Sequence, residues 1–262
     1  MIHPTAIISP LAKIGKNVKI GPYSIIGEEV ELCDNVEIMS HVCVSGKTLI
    51  GEGTKIFPFA AIGFQPQDLK FHGEKSRVIV GKNNSIREYV TIHPGTEGGN
   101  METVVGDNNL LMIGVHVAHD CIVGNNIVLA NNATLAGHVT VGDFAIIGGL
   151  SAVHQFVRIG HHAIIGGMAG VERDVIPYGA VKGDRGYLYD VNIVGLRRAG
   201  IDRNEIKFIK EAYKMIFHGE NTLMENLKQA ESALQNSVHA KEIFDFMNAK
   251  SDRSFCQARG NE

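Results

Sequence analysis

An aliphatic residue returns at every sixth position of this chain and holds one register through long stretches. The first run is Ile2, Ile8, Ile14, Ile20, Ile26, Leu32, Ile38, Val44, Ile50, Ile56 and Ile62. After a gap come Val80, Ile86 and Ile92, and after a second gap the series resumes at Val105 and continues through Leu111, Val117, Val123, Leu129 and Leu135 to Val171. A period of six fits neither an amphipathic helix nor the two-residue alternation of a half-buried strand. It is the signature of a parallel β-helix, in which each hexad is one short strand plus a turn. Three hexads close a triangular coil, and coils stack at the inter-strand spacing of roughly 4.8 Å. The aliphatic residues then form one continuous core column.

Two other hexad positions carry a pattern. Counting the aliphatic residue as the first, the fifth is small or β-branched (Ala12, Val18, Ser24, Val30, Thr54, Ala133, Ala163), as expected of a pleated, half-buried surface. The second is often glycine (Gly15, Gly21, Gly51, Gly81, Gly106, Gly124, Gly148), which predicts corners that need its conformational freedom. Continuing the register through the first gap would put Asp68 and Glu74 in core slots, which a buried column does not accept unpaired. Residues 63–79 and, after the second slip, 94–104 are therefore expected to leave the coil as loops.

The hexads stop after Pro177, and the β-helix is assigned to residues 1–185 with a C-terminal helical domain over 186–262. From Asp202 the apolar spacing turns helical through Ile206, Ile209, Ala212, Tyr213 and Ile216, with Asp202 and Glu205 in capping-box positions. Two more helices are expected near 222–234 and 239–248. The fold class is thus mainly β, a parallel β-helix followed by a small α-helical domain.

Composition narrows the function classes. A formal charge of −3 on 262 residues argues against a nucleic-acid binder. No apolar run is long enough to span a bilayer, and the hexads begin at Ile2 without room for a signal peptide, so a cytoplasmic protein is expected. Cys33, Cys43, Cys121 and Cys256 lack metal-type spacing and read as free thiols.

The chemistry should lie in residues that break the logic of the repeat, and histidine is the outlier: His93, His116, His119, His138, His154, His161 and His162. Residues one coil apart share a corner column, so His119, Gly137 and Gln155 stack on one edge, with Asp120 and His138 in the adjacent column. An imidazole base, a carboxylate beside it and an exposed backbone N–H are what acyl transfer to a hydroxyl requires. Solvated turn histidines and a histidine zinc site are the competing readings, and a non-catalytic scaffold is the rival from another class.

His116-Val-Ala-His119-Asp120-Cys121, Leu129 to Val139 with Gly137-His138, and Ala152-Val-His154-Gln155-Phe156 closely resemble the UDP-N-acetylglucosamine O-acyltransferases of bacterial lipid A synthesis. So do Gln67-Asp68-Leu-Lys70, Val90-Thr-Ile-His93 and Asn192-Ile-Val-Gly195-Leu-Arg-Arg198, and the resemblance covers essentially the whole chain. It implies a left-handed coil and a homotrimer with sites between neighbouring β-helices. The implied reaction moves an (R)-3-hydroxyacyl group from acyl carrier protein to the 3-hydroxyl of UDP-N-acetylglucosamine, the first step of lipid A synthesis, without metal or cofactor. By resemblance His119 is the base, Asp120 its orienting partner and Gly137 the oxyanion donor. His116, His138, His154 and Gln155 match donor or nucleotide sites, Asp68 and Lys70 the sugar site, Asn192 and Arg198 nucleotide or phosphate contacts, and Gln67 and His93 substrate-binding positions. Gly167 matches the end of the acyl groove, where glycine implies a longer chain. In the best-known enterobacterial members an acidic residue stands at the position of Val194 and a basic one at Ala199. The sister N-acyltransferase of the pathway is the rival enzyme, but it carries an additional N-terminal domain. The basic stretch Arg197, Arg198, Arg203, Lys207, Lys210 and Lys214 is expected to guide the acidic acyl carrier protein.

Overall fold

The computed structural model describes residues 1–259. Short strands, most of two residues, follow one another every six residues and sort into three sheets that form the faces of a triangular prism, parallel but for the last strand of the third. Face I has nine strands from Ile7–Ile8 to Gly170–Val171, face II eight from Lys13–Ile14 to Arg158–Ile159, and face III ten from Lys19–Ile20 to Tyr187–Val191. Each strand pairs with its counterpart one coil on, Ile8 with Ile26 and Val117 with Leu135 among them, so the aliphatic column is continuous. Ile26, Ile50, Ile86, Leu111, Leu129 and Ile147 are all buried.

The fifth hexad position is more deeply placed than a half-buried surface. Val36, Val42, Thr54, Val90, Val139 and Ala163 are fully covered, forming a second inward column. Buried hydroxyls there are satisfied by backbone, as where Thr54 Oγ1 donates to the Gly81 carbonyl at 2.9 Å.

The role expected of the second-position glycines is corrected. The left-handed backbone falls on the fourth hexad position instead, and on side-chain-bearing residues: Asn17, Asn35, Asn83, Asn126, His41, Asp120 and His138 all have positive φ. Asn, Asp and His tolerate that conformation best. Aromatic residues in the same column are held by stacking, with ring centroids 5.1 to 5.2 Å apart along Tyr23, His41, Phe59 and Tyr89. The glycines are required for space. A Cβ on Gly51 would lie 2.4 Å from the Gly81 backbone, and one on Gly148 2.4 Å from Gly167 N.

Both excursions are present but shorter than expected. A four-residue strand, Arg77–Val80, already belongs to face II inside the stretch assigned to the first loop, and Glu102–Val105 does the same for the second. The loops are thus 63–76 and 94–101, and both leave the corner between faces I and II. The hairpin of Gly179–Lys182 with Tyr187–Val191 carries face III past residue 185.

Four helices follow: α1 (Ile193–Arg198), α2 (Arg203–His218), α3 (Leu223–Ala233) and α4 (Val238–Asn248). The Asp202–Glu205 capping box does not form. Asp202 caps Asn204 N at 2.7 Å, but Glu205 turns away to accept from Ser237 Oγ at the start of α4, also at 2.7 Å. The capping box lies at Thr222 and Glu225. Ile209, Ala212, Leu227, Ala230, Ala240 and Ile243 close the core of the helical unit. No helix among the described residues is long and apolar enough to cross a membrane.

Candidate active site

The corner between faces I and II brings the chemistry together. His119 follows the face I strand His116–Val117, and Asp120 takes the left-handed turn position with φ of 60°. His119 Nδ1–H donates to Asp120 Oδ2 at 2.8 Å, since a carboxylate only accepts, so in the neutral ring the lone pair is on the other nitrogen, Nε2. Nε2 has no hydrogen-bond partner among the described residues, and it is not among the atoms sealed from solvent. Gly137 lies one coil on, so close beneath the ring that a Cβ there would be 2.5 Å from Cε1 and 2.6 Å from Nε2. The Gly137 carbonyl accepts from Phe156 N at 3.1 Å, whereas its N–H meets no acceptor among the described residues.

Asp120 is more than a partner for His119. The second excursion wraps it: Thr96 N donates at 3.0 Å, Thr96 Oγ1 at 2.7 Å and Asn100 N at 2.8 Å. Burial would raise its pKa, but the hydrogen bonds from His119 and Thr96 outweigh burial and hold it below the usual carboxylate range. Thr96 and Asn100 hold this candidate site residue in place, and sequence reasoning missed both. The only signal was the register slip itself, which located the loop without its conformation.

The other histidines surround this pair. His138 Nδ1 lies 3.9 Å from Asp120 Oδ2, and its ring stands edge-on to His119 and stacks on Phe156 with centroids 4.3 Å apart. Burial lowers its pKa against the opposing pull of Asp120. His116 Nδ1 pairs with Thr91 Oγ1 at 2.7 Å, and burial, then the nearby His119, lowers its pKa. His93 is buried, its Nδ1 without a hydrogen-bond partner among the described residues, and burial, then His116 and His119, pulls its pKa down to about 4. These side chains are held neutral, the form in which an imidazole accepts a proton or donates one hydrogen bond.

Asp68 and Lys70 act electrostatically on His138 with opposite signs, so the first excursion lies over this corner; Gln67 is exposed on it. The loops meet where Glu97 N donates to Glu74 Oε1 at 3.1 Å. His154 and Gln155 are exposed two coils beyond His119 on the same corner, and Gln155 stands in its column. Gly167 is elsewhere, at the corner of faces III and I, where a Cβ would meet only the Gly149 backbone, its O at 3.3 Å. Asn192 caps α1, accepting from Gly195 N and donating to the His162 carbonyl at the third corner, both at 2.9 Å. Arg198 is exposed at the end of α1. One chain therefore spreads the expected set over three corners.

His119, Asp120 and His138 also have the spacing of a three-ligand metal site. The Asp120 oxygens, however, are already occupied by donors from Thr96, Asn100 and His119, and a cation would have to displace them.

Comparison with known proteins places the chain. Residues 174–256 match the family described as UDP N-acetylglucosamine O-acyltransferase, domain 2, and residues 11–46 and 102–137 match the bacterial transferase hexapeptide, six repeats. The acyl-[acyl-carrier-protein]--UDP-N-acetylglucosamine O-acyltransferase of Rickettsia canadensis is 58% identical over 97% of both chains. A solved UDP-N-acetylglucosamine acyltransferase is 44% identical, covering 99% of this chain and 100% of that one with a TM-score of 0.95. LpxA from Acinetobacter baumannii superposes with a TM-score of 0.95 at 42% identity, covering 98% of this chain and 99% of that one. The hexapeptide coil is the left-handed parallel β-helix of these proteins.

Proposed function

The chain belongs to the UDP-N-acetylglucosamine O-acyltransferase family, and from that premise we propose that it transfers an (R)-3-hydroxyacyl group from acyl carrier protein to the 3-hydroxyl of UDP-N-acetylglucosamine, opening lipid A synthesis. The observation that carries the mechanism is the His119–Asp120 pair lying over Gly137. Asp120 holds the proton on His119 Nδ1, so Nε2 takes the hydroxyl proton as the oxygen attacks the thioester carbonyl. The charge developing on that carbonyl is met by the unoccupied Gly137 N–H. The protonated imidazole then delivers its proton to the departing thiolate, and Asp120 stabilises the imidazolium meanwhile. No step in this sequence needs a metal.

The division of the expected residues over three corners supports a homotrimer, in which a neighbour's corner completes the cleft beside His119. Gly167 would then line the acyl groove, its open space favouring a longer chain, and Asn192 and Arg198 the nucleotide site. Exposed Arg197, Arg198, Arg203, Lys207 and Lys214 along α1 and α2 offer the acidic carrier protein a basic surface; Lys210 is partly engaged by Asp190 at 4.0 Å. Localisation in the bacterial cytoplasm follows from the use of acyl carrier protein as donor.

The test is thioester transfer by purified His119→Ala. Loss of a positioned acid–base group lowers kcat by roughly 10² to 10⁴, with less effect on substrate binding. Near-normal turnover would remove His119 from the mechanism.

A further inference from the structure

After α4 the chain turns back onto the coil and is fastened there. Ser251 Oγ donates to Asp174 Oδ2 at 2.6 Å, and the same buried carboxylate takes Arg158 Nε at 2.7 Å. Asp174 N donates to the Ser254 carbonyl at 2.9 Å, Cys256 N to the Asp174 carbonyl at 2.7 Å, and Leu188 N to the Gln257 carbonyl at 2.9 Å. Arg253 lies inside this anchored segment, its own N–H bonded to Ser251 Oγ at 3.1 Å. Its side chain reaches the far end of the candidate site. Nη2 is 2.7 Å from His154 Nδ1, and Nε donates to the Gln155 carbonyl at 2.9 Å, across 98 residues of sequence.

That contact fixes a proton. A guanidinium has donors only and does not deprotonate in proteins, so His154 Nδ1 must be the acceptor. The ring hydrogen is then on Nε2. Glu172 and Asp252 line the same groove as His154, Arg173 and Arg253, so the guanidinium is not an open receptor for a free anion. Its task is the ring it holds.

We infer that Arg253 is a positioning residue of the transferase site, which fixes His154 as an Nε2–H donor to an acceptor oxygen of a bound substrate and pins the Gln155 carbonyl. The inference rests on the transferase reading and adds a residue to it. The C-terminal return is thereby part of the site, two coils (roughly 10 Å at the inter-strand spacing) beyond the coil of His119. The acceptor oxygen belongs either to the sugar nucleotide or to the acyl donor, and kinetics distinguishes them.

The experiment compares Arg253→Ala, Arg253→Lys, His154→Ala and the Arg253→Ala/His154→Ala double variant, with KM measured for each substrate. Loss of one oriented hydrogen bond raises one KM about tenfold, with a smaller change in kcat. Arg253→Ala added to His154→Ala should cost much less than it does alone, because the part of its effect that passes through that ring is already lost and only the Gln155 carbonyl contact remains. Lysine should rescue only partly, since one ammonium does not span both acceptors. Long-range ¹H–¹⁵N spectra of histidine-labelled protein should show His154 as the Nε2–H tautomer, and a mixture of tautomers in Arg253→Ala. Unchanged KM values in Arg253→Ala, or full additivity with His154→Ala, would overturn the inference and leave the His119 chemistry standing. A fully active His119→Ala enzyme would instead sink the transferase mechanism while the tautomer experiment still read out the Arg253 contact.

Discussion

Replacing Gly137 by alanine tests the heart of the site with one methyl group. Its backbone is not left-handed, so alanine brings no conformational penalty of its own, and the N–H that would stabilise the oxyanion remains. What changes is space. The new Cβ would sit 2.5 Å from His119 Cε1 and 2.6 Å from Nε2, where carbon contacts relax at about 3.5 Å. The ring must therefore retreat by about 1 Å, yet Asp120 holds its Nδ1 at 2.8 Å and His138 stands against its face. Overpacking of this kind costs about 1–3 kcal/mol of stability, and a misplacement of about 1 Å costs about 10²-fold in rate. Steady-state thioester transfer should show kcat reduced about a hundredfold with a lesser change in KM, and equilibrium unfolding should show the loss of stability. In a His119→Ala background the methyl meets no ring, so the added destabilisation should shrink to within about 0.5 kcal/mol. Turnover within half of wild type, or equal destabilisation in both backgrounds, would refute the packing of ring on glycine.

Two further expectations follow from the groups around that ring. Asp120→Asn replaces one acceptor oxygen with an NH2 donor set against the Thr96 and Asn100 donors; with about 1.5–3 kcal/mol at stake for each hydrogen bond to a charged group, it should lower kcat and also loosen residues 94–101, read as faster amide exchange there. His93, whose pKa is depressed to about 4 from 6.5, is neutral when folded and takes up a proton more readily when unfolded; its share of stability is present above about pH 6.5 and lost as pH falls through about 4, and His93→Phe should flatten denaturation midpoints measured across that window.

Much of this was legible because a coil of constant length converts sequence spacing into distance. His119, Gly137 and Gln155 could be placed in one column from their numbers alone, and Asp120 beside His138 likewise. The reading failed where the repeat stops setting geometry. Glycine in a corner suggests backbone freedom, and only the stacked coils reveal that Gly51 and Gly148 are there because the next backbone leaves no room for a Cβ. The wrapping of Asp120 by Thr96 and Asn100 depends on a loop conformation that no period encodes. Glu205 looked like a cap because local rules ignore Ser237, which arrives from another helix. Arg253 meets His154 only through the tertiary return of the chain.

The repeat also supplies a way to close the Gly137 amide. On the corner of faces II and III, four third-position amides are closed by the side chain one coil on: Lys16 N donates to Asp34 Oδ1 at 2.7 Å, Lys82 N to Asp107 Oδ1 at 2.7 Å, Asp107 N to Asn125 Oδ1 at 2.7 Å, and Asn125 N to Asp143 Oδ1 at 2.8 Å. The equivalent positions on the corner of faces I and II are His119, Gly137 and Gln155, and the N–H groups of His119 and Gly137 are not closed among the described residues. Where an oxyanion needs a donor, the Gly137 N–H is thus left open. Gln155→Asp should close it, since a carboxylate one coil beyond Gly137 has the register of Asp34 beyond Lys16. A hydrogen bond to a charged acceptor contributes about 1.5–3 kcal/mol, so the variant should resist denaturant better than wild type. It should also lose about 10² to 10³ in kcat, the usual cost of an oxyanion donor, whereas Gln155→Ala, which leaves the amide open, should lose far less. A Gln155→Asp protein that is more stable and fully active would show that the Gly137 N–H takes no part in the reaction.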